Sequence, residues 1–178
     1  MKVILGTLFL VLFISACENH RSQYETEMKI CTKSEEFGLL ASAVNACQKA
    51  LVIAENYDYS PSLRSQLRFK LASLIRRQGN FSQSEMMLIK NIEFEKQRQE
   101  QDSKIIAASL LELSLCLAGQ KKWHEGAEAL ASLVPMISVL PENKKLTAKN
   151  TLKQYSIQLG KNKKYDLAEN FNKVLDQL

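Results

Sequence analysis

The chain has 178 residues, 46% of them hydrophobic and 24% charged, with 24 Lys and Arg against 19 Asp and Glu for a formal charge of +5. That apolar content excludes a disordered chain, and the length is one domain's worth. A modest basic excess without interleaved exposed aromatics or a recognition motif argues against nucleic acid as a partner.

The first element is a leader. Met1-Lys2 is a short basic start, and Val3 to Ile14 is a 12-residue apolar run. A spanning helix needs about 20 such residues, so this run has the length of a signal-peptide core. It ends Ile14-Ser15-Ala16-Cys17, which resembles a bacterial lipobox. The resemblance implies cleavage before Cys17 and lipidation of the Cys17 thiol, with removal of residues 1–16. Two or three acyl chains anchor a protein stably, at about 0.8 kcal/mol per buried methylene. Glu18 is not the aspartate associated with inner-membrane retention, so the expected address is the outer membrane, facing the periplasm.

Residues 17–24 are polar and without periodicity, and read as a lipidated tether. From residue 25 to 178 the chain reads as helices separated by short turn clusters: Tyr57 to Ser62, Gln78 to Asn80, Gly119 to Lys122, Pro141 to Asn143 and Gly160 to Lys164. Leu63 to Arg77 places Leu63, Leu67, Leu71, Leu74 and Ile75 on one face. Ile105 to Ala118 is apolar nearly all round and predicts a helix covered on every side. Pro135 falls inside a predicted helix and should kink it.

Phe81, Trp123 and Tyr165 stand 42 residues apart, each followed three positions later by a small residue: Ser84, Gly126 and Ala168. Before them come Leu71-Ala72-x-x-Ile75, Leu113-Ser114-x-x-Leu117 and Tyr155-Ser156-x-x-Leu159. An earlier copy is read from Gly38, Leu40, Ala43 and Cys47, with Leu40 41 residues before Phe81. A fixed period of this size marks one unit stacked repeatedly. These motifs resemble the tetratricopeptide repeat, and the 42-residue period is similar to the repeats of kinesin light chains. The resemblance implies an all-α, right-handed solenoid of about three to four helical hairpins over residues 25–178. The sequence departs from the family at Asn172, where a large apolar residue is expected, with Phe171 beside it.

In this family the first helices line a concave groove that holds a peptide or helix. The candidate groove residues are Gln66, Phe69, Ser73, Arg76 and Arg77; Ala108, Leu111, Leu115 and Ala118; and Asn150, Lys153 and Ile157. Arg76 and Arg77 are expected to face solvent. The groove would suit an amphipathic helix or an acidic-apolar segment. The alternative is that Leu111 and Leu115 are core and the groove is closed. Residues 17–60 carry four basic and seven acidic groups and residues 141–178 eight and four, so charge is polarised along the chain. The clusters Lys121-Lys122 and Lys161 to Lys164 follow first helices, where cations complement the helix C-terminus, and they could form a basic ridge.

Catalysis has no support: no nucleophile motif, phosphate loop or metal-ligand spacing occurs, so no catalytic residue, metal or cofactor is expected. His20 and His124 read as solvated. After Cys17, Cys116 reads as core. For Cys31 and Cys47 the preferred reading is two buried free thiols serving as small apolar groups, with a disulfide worth about 3 kcal/mol as the alternative. The functional expectation is a lipid-anchored envelope adaptor or assembly factor binding a protein or peptide. Analogy with repeat lipoproteins of this fold suggests pilus or secretion-system biogenesis. The alternatives are an exclusion or immunity-type surface lipoprotein, or a regulator of a cell-wall enzyme.

Overall fold

The computed structural model describes the backbone of residues 4–177 and the side chains of residues 20–177. Among the described residues there are eight α-helices, one 3-10 helix and no strand. In chain order they are α1 (Ile4–Glu36), α2 (Leu40–Asn56), α3 (Pro61–Arg77), α4 (Phe81–Gln97), α5 (Ser103–Gly119), α6 (Trp123–Leu133), the 3-10 helix (Val134–Val139), α7 (Glu142–Lys161) and α8 (Tyr165–Leu175). The fold is an all-α array of helical hairpins. Leu40, Phe81, Trp123 and Tyr165 each begin the second helix of a hairpin, as their spacing predicts.

One turn closes every hairpin. Gly38, Gly79, Lys121 and Lys163 all have positive φ, at 71°, 85°, 60° and 60°. The next residue's N–H reaches back five positions each time: Leu39 to Ser34, Asn80 to Ile75, Lys122 to Leu117 and Lys164 to Leu159, at 2.8–3.1 Å. That bond satisfies a carbonyl orphaned by the helix end. Two tips use glycine, which enters the left-handed region freely; the other two hold lysine there.

The chain divides into two compact units, residues 1–74 and 75–178. In the first, α2 turns Ala43, Ala46, Ala50 and Ala54, all buried, inward. Such a small-residue stripe lets α1 approach closely, and Cys31 and Cys47 form a disulfide with Cα atoms 5.2 Å apart. The free-thiol reading is corrected. A close helix crossing brings the two Cα atoms into the 4.4–6.8 Å range a disulfide needs. Residues 18–24, read from sequence as part of a tether, are helical as part of α1. An Arg21–Glu25 pair one turn apart supports that helix. His20 stacks on Tyr57 with ring centroids 3.7 Å apart, and Tyr24 lies against Tyr59 at 4.9 Å. Glu35 bonds Lys70 at 2.6 Å and Glu55 bonds Arg68 at 2.6 Å.

In the second unit the aromatic-plus-small signature becomes packing. Gly126 is buried where α6 meets α7, and a Cβ built on it would overlap the Tyr155 ring, 2.7 Å from Cε1. Tyr155 is fully buried, meets Trp123 edge-on at 5.3 Å, and donates its hydroxyl to the Ser114 carbonyl at 2.6 Å. Gly126→Leu should therefore overpack this crossing and destabilise by about 1–3 kcal/mol. Exposed Ser82→Leu, beside the equivalent Phe81, should stay within about 0.5 kcal/mol. Equal losses of melting temperature would contradict the repeat spacing.

Pro135 ends α6 rather than kinking it. Proline lacks the N–H and its ring blocks the carbonyl four residues earlier, so α6 stops at Leu133 and the chain continues as the 3-10 helix. The α4–α5 connection is held by buried Glu95, which accepts from Arg98 at 2.6 and 2.8 Å and from the Asp102 N–H at 2.9 Å. Asp102 in turn caps α5, accepting from the Lys104 and Ile105 N–H groups. In the last hairpin Phe171 is buried in place of the expected apolar residue at 172, and Asn172 is exposed. Asn172 still works: its side-chain oxygen accepts from Ser156 at 2.6 Å.

Candidate functional site

The signal segment 1–16 and the lipidation residue Cys17 lie outside the residues whose side chains are described. No helix among the described residues is long and apolar enough to cross a membrane.

The groove candidates fall in both units. In residues 1–74, Gln66 is exposed and Phe69 and Ser73 are half-buried. In residues 75–178, Arg77, Asn150, Lys153 and Ile157 are exposed, and Ala108, Leu115 and Ala118 are half-buried. Leu111 is fully buried, so it is removed from the candidate set. Helix α5 packs against α4, α6 and α7 and leaves only a narrow strip open, which does not include Leu111.

Arg76 is the second correction. It does not simply face solvent. Its Nε donates to Oε2 of Glu112 at 2.6 Å, while Lys144 donates to Oε1 at 2.9 Å. The Glu112 side chain is only 2% exposed. Burial pushes the Glu112 carboxyl up, but Arg76 and Lys144 outweigh burial and hold it below its ordinary value. This triad joins α3, α5 and α7 and takes up two cations that a partner would otherwise meet.

The lysine clusters divide in the same way. Lys122 bonds Glu85 at 2.8 Å, whereas Lys121 and Lys161, Lys163 and Lys164 are exposed at their tips. Cys116 is buried and donates to Ser84 at 3.2 Å, and burial pushes its thiol up to about 11. A thiol held protonated is a poor nucleophile. His124 is exposed, 3.6 Å from Glu128. Among the described residues no three His, Cys, Asp or Glu side chains converge as a metal site would require.

Among the described residues, two open grooves each hold about 460 Å³. One, in residues 1–74, runs between α1 and α2 and is lined by Thr26, Glu27, Gln48, Lys49, Val52 and Ile53 among others. The other, in residues 75–178, runs between α7 and α8. It brings the candidates Asn150 and Lys153 together with Leu146, Lys149, Leu175 and Asp176. Leu146, Lys149 and Leu175 escape a reading from sequence centred on the concave side. Their signal is the repeat itself: Lys149 and Lys153 stand 42 residues after Ala107 and Leu111, which are buried.

No protein-family model and no curated protein matches the chain. Among solved structures it is similar to a crystal structure of nearly identical TPR-like repeats from a Podosopora anserina kinesin-light-chain-type protein. The identity is 15% and the TM-score 0.60, over 89% of this chain and 74% of that one. A glutamine-to-methionine variant of that protein matches at 15% identity and a TM-score of 0.61, over 89% and 73%. The likeness is one of fold. It agrees with the stacked helical hairpins of this chain.

Proposed function

We propose that the chain is a lipid-anchored protein of the bacterial cell envelope that binds a protein or peptide partner as an adaptor or assembly factor. The observation that carries this reading is the Cys31–Cys47 disulfide. Disulfides persist in oxidising compartments, which agrees with export directed by residues 1–16 and with anchoring through Cys17 at the outer membrane, facing the periplasm. The repeat fold supplies long helical faces suited to a binding role. Pilus or secretion-system biogenesis is the proposed setting. Exclusion of an incoming element and regulation of a cell-wall enzyme are the alternative settings, each served by the same binding fold.

The anchor is tested directly. Cys17→Ser should abolish labelling by palmitate and release the chain from membranes. A variant that still incorporates label and sediments with membranes would refute the anchor. The partner is sought by crosslinking in cells followed by mass spectrometry of the captured proteins.

A further inference from the structure

We infer that the open face of α7, together with the groove between α7 and α8, docks an acidic amphipathic helix of a partner protein; this rests on the protein-binding reading above. Helix α7 packs on α5, where Tyr155 bonds the Ser114 carbonyl and Lys144 bonds Glu112. On α5, Ala107 and Leu111 are fully buried. At the same repeat positions on α7 stand Lys149 and Lys153, both exposed. Positions that are fully buried on α5 are here open and basic.

The groove keeps an apolar floor beside those charges. Leu146 is 61% exposed and Ile157 50%, and Leu175 lines the groove from α8. Nearby Lys144, Lys145 and Lys173 are paired with Glu112, Glu142 and Glu169. Lys149 and Lys153 have no ion-pair partner among the described residues, and Asp176 is the one acid among the described lining residues. An apolar stripe flanked by such cations fits a helix carrying Leu or Ile at i, i+3 and i+4 with Asp or Glu on both sides. The competing occupant is a second copy of the chain, whose residues 17–60 carry seven acidic against four basic groups, although its α1 also sets the exposed Lys29 and Lys33 against a basic face.

The test uses the full chain in detergent and two synthetic 18-residue helices with one apolar face, flanked by Glu in one and Lys in the other. Fluorescence anisotropy should show the Glu helix binding at least tenfold more tightly. Lys149→Glu with Lys153→Glu should reverse that preference without moving the melting temperature, and Leu146→Asp should weaken both helices at least fivefold. Equal binding by wild type and the double variant, or no discrimination between helices by the wild type, would overturn the inference. So would concentration-dependent self-association that the double variant abolishes, since the occupant would then be a second copy. A photo-crosslinker placed at 146 in cells should capture a partner. Capture only from 66 or 121 removes this face and leaves the binding function standing, whereas no capture from any position removes both.

Discussion

Arg76→Glu should destabilise residues 75–178 by about 3–5 kcal/mol, the loss expected when one partner of a buried ion pair is removed. The reversal does more than delete a bond. It sets a second carboxylate against Glu112, whose side chain is 2% exposed and which has only Lys144 left to neutralise it. Lys153→Glu, an equally drastic reversal at an exposed position, should change stability by under about 0.5 kcal/mol. Urea denaturation of both variants measures the contrast. Comparable midpoints would mean the triad contributes nothing to folding. The joint reversal of Arg76 and Arg77, attractive from sequence as a probe of groove charge, is thus a test of folding.

The same triad gives the protein an acid limit. The Glu112 carboxyl is raised by burial but lowered further by Arg76 and Lys144, so its folded pKa lies below its unfolded one. A depressed carboxylate contributes stability that is fully present above the unfolded value of about 4.3 and is lost as pH falls through the folded value. Wild type should lose stability below about pH 4. In Arg76→Ala one of the two lowering charges is gone, and the loss should begin at higher pH.

Much of the architecture is legible because stacking repeats its chemistry. An aromatic at the start of the last three second helices, Phe81, Trp123 and Tyr165, and a small residue one turn later are visible without coordinates, and they locate the Gly126–Tyr155 crossing. Burial is harder to read on the first helices. Leu111 and Arg76 look like groove residues because each lies on the expected face. The structure instead covers Leu111 and pairs Arg76 with an acid that an apolar helix gave no reason to expect. Glu112 reads from sequence as a break in the apolar surface of α5, when it is the hub that ties three helices together. Of the α7–α8 groove only Asn150 and Lys153 are reached by a reading that follows the concave side, and Leu146, Lys149 and Leu175 are not, although the replacement of Ala107 and Leu111 by Lys149 and Lys153 one period later is written in the sequence.

Reduction of the Cys31–Cys47 disulfide should remove about 3 kcal/mol from residues 1–74, the chain-entropy value for closing a loop of about 15 residues. The bridge spans a separation of 16 residues and joins α1 to α2 where the packing is built from alanines. Few large side chains would hold the two helices together in its absence. Hydrogen exchange under reducing conditions should speed up across 24–54 and leave α5 and α7 protected. The double variant Cys31→Ser with Cys47→Ser should behave as the reduced protein does. If exchange in α1 and α2 is unchanged in both, alanine packing alone holds the hairpin and the bridge is incidental. Reshuffling with Cys116 does not confuse the result, because that thiol is buried and pushed up to about 11, and Cys17 is taken up by lipid in the anchored chain proposed here. The last hairpin joins the same repeat positions without redox chemistry, through Ser156 and Asn172. Only the first hairpin, next to the proposed lipid anchor, is made conditional on an oxidising compartment. A chain retained in a reducing cytoplasm would therefore be weakest in residues 1–74, and a chain exported past the membrane would gain its full stability there.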